Sequence, residues 1–286
     1  MAKDETGRAP RPRGLLSRLG LGRPARPERG YCYLGGGRAI ALTHAGKKIY
    51  LDTRDLGLTP HIATEGIWEP DVEAVLKRLV RPGHRVAEVG ANMGYHTLTL
   101  AEGVGPRGHV DSFEANPAVL PLLRATIAVN GITDRVTIHP EAALDAAGTV
   151  EFTSDPDHIG SGHLAIPGEA AHYSRLAVVP AVTLDAALAA LARLDVLRMD
   201  AEGSEPLVLR GATALLQRSP GVAVVTEWSA PMMARHDLGG LVGWLGDMGF
   251  RYWRIETGGR LAPVPGADLS GLSHADLVLS RVEPPT

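Results

Sequence analysis

"VAEVGANMGYHTL", residues 86–98, decides the reading of this chain. An apolar run carries Glu88 near its end, and Gly90, Asn92 and Gly94 follow, giving E-x-G-x-N-x-G. The run before the glycines reads as a strand, and "YHTLTLAEGVG" after them reads as a helix. Gly90 would let backbone approach a ligand closely, and Gly94 would let the next helix pack tightly. In open α/β sheets, ligands sit beyond the carboxyl ends of the strands, where strand order reverses.

Outward from this turn, strands and helices alternate. "GHVDSFEAN", "DRVTIHP", "DVLRMD" and "GVAVVTEW" read as strands. "PAVLPLLRATIAVNG", "TLDAALAALARL", "SEPLVLRGATALLQRS" and "LGGLVGWLGDMGF" read as helices. That rhythm implies a parallel sheet covered on both faces. "RYWRIET" and "HADLVLSRV" have no helix between them and predict an antiparallel hairpin at one edge. "EPDVEAVLKRLV", residues 69–80, is an amphipathic helix with Pro70 in its first turn. Residues 148–180 interrupt the rhythm with "GTVEFTSD" and a long polar loop, expected to be functional or mobile. Residues 1–30 are expected to be a flexible basic tail, 31–65 a small β extension or lid, and 66–286 the main domain.

The ligand follows from charge. A dinucleotide turn wants a glycine where this chain has Asn92, and Glu88 would repel a pyrophosphate. A carboxylate at position 88 suits an α-ammonium instead. Glu114, in "FEANP" at the end of the second strand, suits two ribose hydroxyls. An ammonium partner with a ribose partner describes S-adenosylmethionine better than a nicotinamide dinucleotide.

Residues 86–131, residues 182–212 ("VTLDAALAALARLDVLRMDAEGSEPLVLRGA") and "AVVTEWS" at 223–229 closely resemble the FkbM family of S-adenosylmethionine-dependent methyltransferases. The resemblance spans roughly residues 60 to 280. It implies a Rossmann-like class I fold of seven strands, mostly parallel, with a reversed C-terminal strand. It also implies methylation of a hydroxyl on a polyketide, sugar or other small metabolite. Glu88, Gly90, Ala91, Asn92 and Gly94 match the cofactor loop, and Glu114, Ala115 and Asn116 the ribose segment. Ala142 falls where the family lines the adenine, with the register open by one residue. The family more often has Asp at the place of Glu88 and Lys at the place of Arg198. The second change removes an amine role, because Arg stays protonated.

A second constellation, Asp200, Glu202 and Glu205 in "RMDAEGSE", crowds a strand-to-helix junction. Glu205 reads as a first-turn acid that favours the helix dipole. Asp200 is expected at the mouth of the cleft, touching cofactor or acceptor. An alcohol is a poor nucleophile while it keeps its proton, so a base is expected. Asp200, Glu202, Glu227, His158 and His163 are the candidates, with His163 on an acceptor-side lid. His96 and Thr97 open the cofactor helix and are expected near the cofactor. Trp68 and Trp228 are expected to wall the acceptor side. Asp200 and Glu227 could offer oxygens to Mg²⁺, but "EW" stands where metal-dependent members of this fold show Asp-Asn, so no metal is expected. A nitrogen acceptor, a nicotinamide dehydrogenase and a non-catalytic cofactor-binding scaffold are the competing readings.

A net charge of −3 gives no general attraction to nucleic acid. The one cysteine, Cys32, excludes an internal disulfide framework. No apolar run is long enough to span a bilayer, and "GLLSRLGLG" is too short for a signal-peptide core. A soluble cytoplasmic protein is expected, with a homodimer contact through residues 1–65 as one option.

Overall fold

The computed structural model describes residues 30–155, 157–165 and 175–285. The predicted basic tail lies outside these residues, apart from Gly30. Strands β1 (Tyr31–Gly35), β2 (Arg38–Leu42) and β3 (Lys48–Asp52) form a small antiparallel sheet. The expected β extension also contains a helix, α1 (Leu58–Glu65), which buries Leu58 and Ile62 and ends at left-handed Gly66. Helix α2 (Pro70–Leu79) follows and buries Val72, Val75, Leu76 and Leu79, the stripe its spacing predicts.

The main unit runs β4 (Arg85–Val89), α3 (Tyr95–Val104), β5 (His109–Phe113), α4 (Leu120–Val129) and β6 (Val136–His139). Then come β7 (Ala142–Ala143), β8 (Gly148–Ser154), β9 (His163–Leu164), β10 (Arg175–Val182) and α5 (Leu184–Ala187). The chain closes with β11 (Val196–Met199), α6 (Glu205–Gly211), α7 (Thr213–Gln217), β12 (Ala223–Trp228), α8 (Leu238–Asp247), β13 (Arg251–Glu256), β14 (Arg260–Val264) and β15 (Ala275–Ser280). The large sheet has the order β14-β13-β15-β12-β11-β4-β5-β6. Strands β12, β11, β4, β5 and β6 are mutually parallel, and β15 runs against both β12 and β13. One apolar cluster joins the sheet to α6, α7 and α8 through Leu209, Leu216 and Leu245. The other joins it to α2, α3 and α4 through Leu76, Leu100 and Leu123. Strand order reverses between β4 and β11, which places the ligand crevice at their carboxyl ends.

Four expectations change. The reversed strand is interior, between β12 and β13, and β14 adds an eighth strand at the edge. Residues 148–180 are not merely a polar interruption. Strands β7, β10, β8 and β9 form a second sheet in which β10 pairs antiparallel with β8 from Arg175–Ser154 to Ala181–Gly148. The long helix expected over 183–194 stops at Ala187, and the Arg218 guanidinium donates to the carbonyls of Leu188 and Leu191 that this end leaves without helical partners. The helix expected over 204–219 is interrupted at Ala212, next to Gly211, where a Cβ would collide with the carbonyl of Leu144 just after β7.

Candidate active site

A cavity opens at the carboxyl ends of β4, β5 and β11. Its floor is Val89, Gly90 and Asn92 from the turn after β4. One wall is Glu114, Ala115 and Asn116; the opposite wall is Asp200, Ala201 and Glu202. Glu141, Ala142 and Phe152 close one end, and Gly160, Gly162, His163 and Leu164 cross the outside. The turn holds its shape through backbone bonds, with the Gly90 and Ala91 N–H groups both donating to the Phe113 carbonyl.

The glycines act as their spacing suggests, but Gly90 for an additional reason. Its φ is 76°, and a Cβ there would collide with the Asp200 carbonyl oxygen. The demand comes from the neighbouring strand end as well as from the cavity. A Cβ on Gly94, with φ 94°, would meet Leu123 and Thr126 of α4, so its absence lets the helices pack. Among the described residues, three that are not glycine have positive φ: Glu69 (44°), Asn92 (49°) and Glu202 (50°). Asn92 and Glu202 line the cavity, and Glu69 lines the hollow beside it. Backbone held in sparsely populated regions clusters at functional sites.

Glu114 is 6% exposed. Its two oxygens accept from the backbone N–H groups of Asn92 and Asn116, each at 2.7 Å. Burial pushes its carboxyl up to about 7 against the pull of those two N–H groups. Glu88 sits differently from its expectation. It is fully buried behind the turn; Val89 and Gly90, not Glu88, line the cavity. Its Oε2 accepts from Thr97 Oγ1 (2.6 Å) and Ser112 Oγ (2.8 Å), while Oε1 has no partner among the described residues. Burial raises its pKa, and the Arg198 charge opposes that rise. Thr97 is spent on Glu88, and the Ala91 side chain packs in the core. His96 is 4% exposed and bonds Glu69 through Nε2 at 2.8 Å, outside the cavity lining.

The acidic wall continues into a second, smaller hollow lined by Glu69, Arg198, Asp200, Glu227 and Asp276. Arg198 is 5% exposed and clasps three groups: the Gly90 carbonyl at 3.0 Å, Asp200 at 3.0 Å and Glu69 at 3.5 Å. Burial opposes ionisation of Glu69, but the His96 hydrogen bond and the Arg198 charge hold it down at about 2. Burial raises Asp200 despite Arg198. Burial and then the Asp200 charge push Glu202 up to about 8 and Glu227 up to about 9. Glu205 rises to about 7 and Asp276 to about 6, each through burial first. Oxygens of Asp200, Glu205 and Glu227 lie within 4.8 Å of one another.

The sequence marks Glu69 only as the start of a helix and gives no sign of Asp276, which faces Glu227 across the antiparallel β12–β15 pair. Of the two loop histidines, His163 lines the cavity and contacts the Ser161 carbonyl through Nδ1, whereas the His158 side chain is 52% exposed, 3.6 Å from Asp155. The structure corrects the reading of Trp228. It is fully buried in the core, with Nε1 donating to the Leu269 carbonyl, because it lies on the opposite face of β12 from Glu227. Trp68 packs partly buried against the N-terminal cluster and His61.

The sheet order and the cavity at its switch point define a class I methyltransferase domain, and S-adenosylmethionine is the cofactor of that class. The description "Methyltransferase FkbM domain" matches residues 88–252, and the chain belongs to this family. Protein-L-isoaspartate O-methyltransferase of Methanopyrus kandleri is 39% identical over 64 residues, which are 22% of this chain and 28% of that protein. Catechol O-methyltransferase of Mycobacterium tuberculosis is 36% identical over 66 residues, 23% of this chain and 30% of that protein. The chain thus spans under a third of the length of these two curated relatives. Solved structures that overlay on it include TYW2 of P. horikoshii in complex with MeSAdo (14% identity, TM-score 0.45, covering 87% and 74% of the two chains). Another is precorrin-6y C5,15-methyltransferase of Geobacter metallireducens (14%, TM-score 0.42, covering 76% and 90%). The family assignment rests on the family match, not on these overlays.

Proposed function

We propose that this protein transfers the methyl group of S-adenosylmethionine to a hydroxyl oxygen of a small metabolite or sugar. The supporting observation is one cavity at the switch point, with Glu114 on one wall and Asp200 with Glu202 on the other. The ribose hydroxyls donate to Glu114, whose carboxylate keeps lone pairs beyond its two backbone bonds. Ala142 and Phe152 bound the adenine end. Asp200 offers the anion that the methionine ammonium needs, and Glu88 supports the turn from behind.

Transfer is an in-line displacement at a carbon that the sulfonium already activates. The acceptor oxygen forms its bond to the methyl carbon as the carbon–sulfur bond breaks, and S-adenosylhomocysteine leaves neutral at sulfur. The protein's part is orientation, worth roughly 7–11 kcal/mol of barrier, and a place for the hydroxyl proton. Glu202 and Glu227 suit that second task. Their raised pKa values make them stronger bases than an ordinary carboxylate once ionised. His163, on the cavity's outer face, is the alternative base. Substituting Glu202 and Glu227 singly by Gln, with initial rates on a panel of hydroxyl acceptors, tests these roles. Wild-type rates in both variants would remove the carboxylates from the chemistry.

A second reading keeps the fold and adds Mg²⁺. The close approach of Asp200, Glu205 and Glu227 favours it, since such oxygens suit a hard cation. Loss of turnover on chelation, restored by Mg²⁺, would support it; unchanged turnover would remove it. Residues 31–65 are proposed to complete the lid. The exposed Tyr31 and Tyr33 of edge strand β1 support a dimer contact there, which sedimentation would test.

A further inference from the structure

The outside of the cavity is formed by a segment with little regular structure of its own, and its fastening lies in the N-terminal unit. Ile159 is 3% exposed and packs with Leu58 and Ile62 of α1 and Met93 of the cofactor turn. Its carbonyl accepts from Asn116 Nδ2 at 3.4 Å. A Cβ on Gly160 would stand 3.1 Å from Asn92 Nδ2, so this stretch lies directly over the turn. The Ile159 N–H donates to Asp55 Oδ1 at 3.2 Å. Asp55 is 1% exposed, and it also accepts from Gly57 N–H at 3.3 Å and Thr59 N–H at 2.7 Å. One buried carboxylate therefore ties the entry of α1 to the cavity's outer wall. A backbone bond from Leu56 N–H to the Asp157 carbonyl, at 2.7 Å, runs beside it.

We infer that Asp55 is a positioning residue for the cofactor site, holding residues 157–164 across the cavity so that bound S-adenosylmethionine leaves slowly. The inference rests on the reading that this cavity takes the cofactor. It assigns the N-terminal unit to cofactor retention, beyond its expected service to the acceptor. Asp55 acts through Ile159 and touches no reacting atom. Its bond from Thr59 N–H, at 2.7 Å, has the length of a strong charge-assisted bond, those from Gly57 and Ile159 are longer, and each is made to a backbone N–H that has no helical partner.

The test follows S-adenosylhomocysteine binding to the full chain by stopped-flow tryptophan fluorescence, with hydrogen exchange at the Ile159 amide. Asp55→Ala is expected to release the ligand about tenfold faster, with loss of protection at Ile159, as follows from removing a buried charge-assisted acceptor. Asp55→Asn keeps one accepting oxygen and is expected to fall between. Glu114→Gln is expected to weaken binding while Ile159 stays protected. Wild-type release and protection in Asp55→Ala would overturn the inference. Should that variant fail to fold by circular dichroism, a wild-type release rate in Asp55→Asn would overturn it instead. If Glu114→Gln binds as the wild type does, the cavity reading falls first, and the two failures are distinct.

Discussion

Glu202 carries a left-handed backbone, at φ 50°, and a carboxyl pushed up to about 8 by burial and the Asp200 charge. Gly203 follows with φ 86°, and a Cβ there would come within 2.8 Å of the Met232 carbonyl. This turn fixes where the carboxylate points. If Glu202 takes the acceptor's proton, only its ionised form works, so turnover rises with pH and levels off above about 8. Glu202→Gln is predicted to lower kcat by about 10²–10⁴-fold and to flatten that rise. A pH–rate profile of both forms checks it. The sequence showed Glu202 and Asp200 because they sit four and six residues upstream of a helix-opening proline, in a strand-to-helix turn. It showed Glu227 but set Trp228 beside it in the cleft. Strict alternation along a strand would have sent the two side chains to opposite faces.

At the scale of elements, the join between β4 and β11 matters most. The two strands are paired from Val86–Val196 to Val89–Met199, and the Arg198 side chain reaches across to the Gly90 carbonyl. Removing its charge would leave the partly buried Asp200 and Glu69 without their shared cation. Arg198→Met is predicted to destabilise the fold by about 1–3 kcal/mol, with Arg198→Lys intermediate because it keeps charge but loses the fork. Urea unfolding of the three proteins measures this. Gly90→Ala is predicted to fold poorly: the left-handed backbone alone costs about 1–2 kcal/mol, and the collision with Asp200 adds to it. The β4-turn-α3 unit was legible because alternation, glycine and helix period agree over one short stretch. The second sheet was not. Its β8 and β10 pair across about twenty residues rich in Gly, Pro and His, and composition there resembles a loop.

Across the whole molecule, carboxylates outnumber their cations at one end of the sheet. Glu114, Glu202, Glu205, Glu227 and Asp276 all have pKa values raised by burial, to between about 6 and about 9. A raised folded-state pKa means the folded protein holds protons more tightly than the unfolded chain. Stability from these groups is therefore complete below about pH 4, near the unfolded carboxylate values, and is lost as pH rises through the folded values. Glu69, held at about 2, acts oppositely and loses its contribution as pH falls towards that value. The unliganded protein is predicted to melt at its highest temperature near pH 5 and progressively lower up to pH 9. A cationic cofactor is predicted to raise Tm more at pH 8.5 than at pH 6. Differential scanning fluorimetry across pH tests both. The parallel α/β sheet was readable from strand–helix alternation, and the class I fold from the resemblance to the FkbM family. The acidic excess was not, because Glu69 and Asp276 come from opposite ends of the domain and meet Asp200 only through sheet order and register.

Glu114 gives the most direct measurement. Its carboxyl, raised to about 7, accepts ribose hydroxyls best when ionised, so calorimetry of S-adenosylhomocysteine binding across pH 6–8 should show affinity increasing with pH. Glu114→Gln should bind about 10–100-fold more weakly at pH 8, the scale of a lost charged hydrogen bond, and should lose the pH dependence that Glu114 supplies. Equal affinity in the two proteins at every pH would contradict the placement of the cofactor in this cavity.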